Sequence, residues 1–287
     1  MTEPAHFEVL YPPSTPSTPW LVHVPHSSTA IPSEYREQLA LSDSELASEL
    51  LLLTDRYTDE LARGAAGFGG TLFVNRFSRL VMDPERFPDD ADEPMAKLGM
   101  GAIYLSRQDG SPLRRPDFSD GERTRLMREL YRPYHGALQQ IVDEHLQHCG
   151  CCLIVDLHSF PSKSLPYEDP ALARPSICVG FDSCHDDPVL RGRWRAVADR
   201  AELDLGFNTP FSGSLVPSRF YRRDFRVRSL MIEVRRDLYM DEATGERLPR
   251  FAEIRTLVTT LLELAARRAE ELVVSSDPSG AGSTGTA

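Results

Sequence analysis

Apolar residues gather in six short runs, at 20–24, 71–75, 78–82, 152–157, 176–181 and 229–234, and each reads as a strand. Between them lie longer segments with apolar residues every three or four positions, the spacing of a helix that covers a sheet. Residues 41–65 open on a cap signal at Ser42 and Asp43 and carry Leu46, Leu50, Leu53, Tyr57 and Leu61 on one stripe. A second helix, 120–148, presents Leu126, Leu130, Leu138, Ile141 and Val142, with a kink expected at Pro133. The third, 249–272, presents Phe251, Ile254, Leu257, Leu261 and Leu264. Strands alternating with long helices predict an α/β fold: a mixed, mostly parallel sheet with helices on both faces.

The polar residues that interrupt this pattern carry the chemistry. In LVHVPHSS a strand ends at Pro25, and His26 follows it; in CLIVDLHSFP a second strand ends on Asp156, Leu157 and His158. Ligands of open α/β sheets bind beyond the carboxyl ends of the strands, so two strand-end imidazoles can converge on one cation. A catalytic zinc takes three protein ligands and keeps a fourth position open. The missing carboxylate is sought in LLTDRYTDEL, where Asp55 and Asp59 share one helical face and either could serve. Glu233 interrupts the apolar strand SLMIEV, where a carboxylate is costly unless paired or used. Its two readings are an ion pair with Arg235, Arg236 or Arg79, and a base that takes a proton from an attacking water. Arg76, Arg79 and Arg86 cluster around 74–90, and guanidinium forks suit carboxylates.

Composition narrows the classes. A 287-residue chain, 41% hydrophobic and 26% charged, can bury a full core, and it holds no apolar run long enough for a bilayer, so no membrane partner is expected. The net charge of −11 repels phosphate backbones and speaks against nucleic acid as a partner. No secretory signal is visible at the N-terminus, and a cytoplasmic location is expected. Cys149, Cys151 and Cys152 crowd the start of a strand, and no second pair at zinc-finger spacing joins them, so they read as reduced core thiols. Residues 1–19 read as an extended Pro-rich lead-in, 20–272 as a single catalytic domain and 273–287 as a disordered tail.

In order along the chain, HVPHSS, TDRYTDEL, NRFSRLVMDPER, VDLHSFP, NTPFSG and IEVRRDLYMDE resemble the motif set of the N-formylglutamate amidohydrolase family over roughly residues 20–245. The resemblance implies a fold similar to the zinc-dependent exopeptidases, of the phosphorylase/hydrolase-like type. It also implies release of formate from N-formyl-L-glutamate, a step of histidine breakdown. Carried onto this sequence, it makes His26, Asp55 and His158 the ligands of Zn2+ or of another divalent ion such as Co2+. Glu233 becomes the general base, and Arg79, with Arg76 second, holds the carboxylate of a small acidic N-acyl amino acid. Asn208, Ser212 and Gly213 belong to a loop that shapes the substrate pocket. The carboxypeptidase H-x-x-E arrangement is absent, because Thr29 stands three residues after His26. A deacylase or carboxypeptidase-like enzyme with another N-acyl substrate, and a metal-free binding protein on the same fold, are the alternatives.

Overall fold

In the computed structural model of this chain, residues 5–12 and 18–276 are described. The apolar runs condense into one seven-stranded sheet. Its strands are β1 (Phe7–Leu10), β2 (Trp20–Val24), β3 (Thr71–Asn75), β4 (Cys152–Phe160), β5 (Ile177–Gly180), β6 (Leu205–Phe207) and β7 (Val227–Arg235), in the order β1-β3-β2-β4-β7-β5-β6. The pairs β2–β3, β2–β4, β4–β7 and β5–β6 are parallel, while β1–β3 and β5–β7 are antiparallel. The sheet is therefore mixed and mostly parallel.

The helices are α1 (Ser33–Arg36), α2 (Asp43–Leu53), α3 (Thr58–Ala62), α4 (Asp120–Leu126), α5 (Arg132–Cys149), α6 (Pro188–Arg200) and α7 (Phe251–Ser276). One face of the sheet, with Val22, Val74, Val155, Leu157 and Ile232, packs against Leu61 of α3, Trp194 of α6 and Leu261 of α7. The other, with Leu21, Phe73 and Ile154, packs against Leu126 of α4 and Tyr134, Leu138 and Ile141 of α5. Burial on both faces explains why these strands read as continuous apolar runs, each fully buried Leu, Ile or Val stabilising by roughly 1.5–3 kcal/mol. Among the described residues no helix is long and apolar enough to cross a membrane.

Several elements differ from expectation. Residues 78–82 form a turn rather than a strand, because the carbonyls of Leu80 and Val81 accept from Arg114 Nη2 (2.9 and 3.0 Å) in place of a sheet neighbour. The helix expected over 41–65 breaks after Leu53: Thr54 is extended and Tyr57 takes a φ of +70°. Ahead of Pro133 the helix carries a π-turn, Met127–Tyr131, which absorbs the amide hydrogen that proline lacks. β1 lies within the expected lead-in and caps the sheet edge, and β6 and α6 were not anticipated. Most of the mobility expected at the two ends falls on 1–4, 13–17 and 277–287, outside the described residues.

Candidate active site

Three elements deliver their side chains to one point at the carboxyl ends of the central strands. His26 follows β2, whose exit is pinned by Asn75 Nδ2 donating to Pro25 O (2.9 Å). His158 stands in the last turn of pleat of β4, opposite Glu233 of β7 in the parallel register. Asp55 arrives from the break between α2 and α3 rather than from a helical face, its N–H donating to His26 O (2.9 Å) and its own carbonyl accepting from Thr58 Oγ1 (2.8 Å). Asp59, the alternative acid, lies away from the centre, 3.5 Å from Arg76.

His26 Nδ1 and His158 Nδ1 are 3.3 Å apart, and Asp55 Oδ2 is 3.7 Å from the first and 3.2 Å from the second. All three residues are buried. Each outer nitrogen faces a carboxylate: His26 Nε2 is hydrogen-bonded to Asp83 Oδ1 (2.8 Å), and His158 Nε2 lies 3.0 Å from Asp156 Oδ1 in an ion-pair contact outside hydrogen-bond alignment. With a carboxylate beside each Nε2, an imidazole that keeps its proton on that nitrogen turns the lone pair of Nδ1 toward Asp55 Oδ2. Three acceptors facing one another repel unless a positive charge sits between them. A tetrahedral ion with bonds of about 2.0–2.1 Å sets its ligand atoms about 3.3 Å apart, so the donor set and its spacing both fit a divalent metal.

The surrounding charges favour a cation as well. Against the cost of burial, His158, His26 and Arg236 hold the Asp55 carboxyl well below its usual range. Arg236 Nη2 donates to Asp55 Oδ1 (2.7 Å) and leaves Oδ2 toward the histidines. Burial pushes the Glu233 carboxyl up to about 8, with Asp55 and Asp156 adding to it and His158 and Arg236 opposing. Glu233 Oε2 is buried with no hydrogen-bond partner among the described residues, so the carboxylate is not consumed by the ion pair with Arg235, Arg236 or Arg79 that its sequence position allowed.

The centre opens into a cleft of about 660 Å³. Here the arginines sort differently from the order expected. Arg79 is committed: its Nε and Nη2 both donate to Asp83 Oδ2 (3.1 and 2.7 Å), which also accepts from Tyr104 Oη (2.6 Å). Asp83 thus lies between Arg79 and His26, its Oδ1 2.8 Å from His26 Nε2. Arg76 is not among the cleft-lining residues and pairs with Glu8 and Asp59. Arg86 lines the cleft beside Arg79 and Arg236; its Nε is buried without a hydrogen-bond acceptor and forms a 3.6 Å ion pair with Asp83, which Arg79 already holds more closely. Its backbone is fixed by Tyr131 Oη donating to Arg86 O (2.7 Å).

The opposite wall is the loop after β6. Ser212 and Gly213 line the cleft, whereas Asn208 does not; its Oδ1 accepts from Phe181 N (2.8 Å) and shapes the turn. Gly180 lets the loop approach, because a Cβ there would meet Gly213 O at 2.4 Å.

A family model described as N-formylglutamate amidohydrolase matches residues 18–240, the segment that contains every residue of this centre. The chain belongs to the N-formylglutamate amidohydrolase family. It is 27% identical over 229 residues to the N-formylglutamate deformylase of Pseudomonas putida, covering 78% of this chain and 82% of that protein. With the N-formylglutamate deformylase of Pseudomonas aeruginosa it shares 28% over 233 residues, 78% and 83% of the two chains. The crystal structure of the N-formylglutamate amidohydrolase of Ralstonia eutropha JMP134 superposes with a TM-score of 0.80 at 26% identity, over 93% of this chain and 99% of that one. Membership in the N-formylglutamate amidohydrolase family thus rests on residues 18–240. The segments that build the cleft, from the His26 exit to the Glu233 strand, all lie inside the matched range.

Proposed function

We propose that this chain is a metal-dependent amidohydrolase that cleaves N-formyl-L-glutamate, or a close N-acyl amino acid, into formate and the free amino acid. The observation that carries the reading is the convergence of His26 Nδ1, His158 Nδ1 and Asp55 Oδ2 at 3.2–3.7 Å in a buried pocket. His26, Asp55 and His158 would hold a divalent ion, Zn2+ or Co2+, which would supply Lewis-acid polarisation of the acyl oxygen and lower the pKa of water toward about 7. Glu233, opposite His158 and unpaired at Oε2, takes the proton of the attacking water and passes it to the leaving nitrogen as the C–N bond breaks. Arg86 grips a substrate carboxylate as a fork, with Arg79 reassigned to holding Asp83. The ring of Phe87 and the Ser212–Gly213 backbone close the cleft around the acyl amino acid and orient it.

The test is a metal-content measurement on the purified chain paired with formate release from a panel of N-formyl and N-acetyl amino acids. About one equivalent of divalent metal is expected, with turnover fastest on N-formyl-L-glutamate, lost on chelation and restored by Zn2+ or Co2+. Stoichiometric metal with turnover confined to another acyl amino acid would move the substrate and keep the reaction class. Absence of metal together with absence of turnover after adding Zn2+ or Co2+ would overturn the reading and favour a binding protein.

A further inference from the structure

Beneath the candidate centre, on the sheet face that α5 covers, lies a second polar group that the reaction proposed above leaves unused. His23 and Asp156 face each other across the β2–β4 register, and both are fully buried. His23 Nδ1 stands 2.8 Å from Asp156 Oδ1 and 3.1 Å from Glu85 Oε1, and its Nε2 is 2.6 Å from Tyr134 Oη. The imidazole is packed between the rings of Phe73 and Tyr134, with centroids 6.0 and 5.8 Å away. A valine at this strand position would fill the core without desolvating an imidazole, so the polar choice calls for a task.

The task can be read from Asp156. Its Oδ1 faces two imidazoles, His158 at 3.0 Å and His23 at 2.8 Å, while its Oδ2 accepts from Leu215 N (3.1 Å) in the loop that walls the cleft. A carboxylate with a single partner can rotate about its last torsion; one clamped from three directions cannot. The ring orientation of a metal-binding histidine is set by whatever its outer nitrogen meets. For His158 that object is Asp156, and His23 is what holds Asp156 still.

We propose that His23, backed by Tyr134, is a positioning residue of the metal centre: it locks Asp156, and Asp156 locks the His158 ring with Nδ1 turned toward His26 and Asp55. The inference rests on the metal-centre reading of the preceding subsection. One donor atom each from His23, Glu85 and Asp156 also lies within 4.8 Å of the others, a spacing that a second cation would satisfy. The clamp accounts for these contacts with fewer parts. His23 Nε2 is already engaged by Tyr134, Asp156 Oδ1 already faces His158, and His23 Nδ1 is hydrogen-bonded to Asp156 Oδ1 (2.8 Å), with Glu85 Oε1 a charge neighbour at 3.1 Å.

The experiment measures Zn2+ affinity by competition with a chromophoric chelator, and the visible spectrum of the Co2+ form, in wild type, His23→Leu, His23→Asn and Tyr134→Phe. Wild type is expected to bind one ion. His23→Leu loses about 10–100-fold in affinity and shifts the cobalt bands, as expected when the outer partner of a ligand is disturbed. His23→Asn, whose amide nitrogen stands near the position of Nδ1, recovers to within about threefold of wild type. Should the leucine variant fail to fold, Tyr134→Phe carries the test, since it removes one hydroxyl and no volume; a loss of about three- to tenfold is expected. Wild-type affinity and spectrum in His23→Leu, or in Tyr134→Phe, overturns the clamp. So does a stoichiometry of two ions in wild type falling to one in His23→Leu, which would make His23 a ligand. Failure of wild type itself to bind metal fells the underlying reading first and is recognised without any variant.

Discussion

The two faces of the central sheet are built from the same strands and solve opposite problems. On the face covered by α3, α6 and α7, successive positions read Val22, Val24, Leu153, Val155, Leu157, Leu230, Ile232 and Val234, without one ionisable group. On the other face the alternate residues of those strands begin apolar, with Leu21 and Ile154, and then turn to His23, Asp156, His158 and Glu233 toward the carboxyl ends. Both faces are equally dry. The first returns the hydrophobic free energy of folding in full, whereas the second forgoes much of it by burying charges whose mutual contacts only partly offset their desolvation. Stability is therefore concentrated on one side of a two-residue repeat and chemistry on the other, and a substitution should reveal which side it touches.

The widest separation is expected at Glu233. Glu233→Gln keeps the shape of the side chain and removes the base, so turnover of N-formyl-L-glutamate falls about 10²–10⁴-fold. The melting temperature holds or rises, because a carboxyl that burial disfavours is replaced by a neutral amide. The mirror experiment is Leu153→Ala on the apolar face, fully buried near the start of β4 and remote from the carboxyl ends that carry the site. It is expected to cost about 2–5 kcal/mol in denaturant unfolding while kcat per folded molecule stays within about twofold. If Glu233→Gln unfolded the protein, or Leu153→Ala silenced it, the division between the faces would be wrong.

That division explains what was legible in the sequence. The apolar face announces itself, since β2, β3, β4 and β7 are apolar runs and were placed to within a few residues. His158 and Glu233 stood out because each interrupts such a run, where folding alone would choose valine, and His26 because it follows one directly past a strand end. Contacts across space were not legible. Arg114 satisfies the carbonyls of 78–82 from more than thirty residues away, so a segment with every local mark of a strand became a turn. α6 escaped notice because only Leu190, Trp194 and Ala198 of PVLRGRWRAVADR face the core, and its arginines mask the stripe. β1 and β6, of four and three residues, gain their order from β3 and β5 rather than from their own composition. The Arg79–Asp83 pair was hidden for the same reason: Arg79 and Arg86 look alike until Asp83 is seen to lie 2.7 Å from one and 3.6 Å from the other.

Within the polar face, Arg86 tests whether burial without a partner marks a substrate contact. Arg86→Gln is expected to lower kcat/KM for N-formyl-L-glutamate about 10–100-fold, chiefly through KM, in keeping with roughly 1.5–3 kcal/mol for a hydrogen bond to a charged group. Arg79→Gln instead loosens Asp83 behind His26, and its loss is expected to appear in metal affinity. Kinetics in which Arg79→Gln raises KM and Arg86→Gln does nothing would restore the order that the sequence suggested.

The smallest effect is expected at Ser229, and it locates the border between the two roles. Ser229 lies on the polar face but four residues before Glu233, and its hydroxyl donates to Leu215 O and meets Ser214 Oγ, both at 2.6 Å. Ser229→Ala removes those bonds and leaves Leu215 O and Ser214 to find other partners, at about 1 kcal/mol of stability. Its kcat is expected to remain within about twofold of wild type, because Asp156 still receives Leu215 N (3.1 Å) and the loop keeps that anchor to the sheet. A tenfold loss of kcat with little change in stability would mean that the catalytic part of this face reaches down to mid-strand, and that its polar residues act as one unit with the loop rather than as a centre with supports.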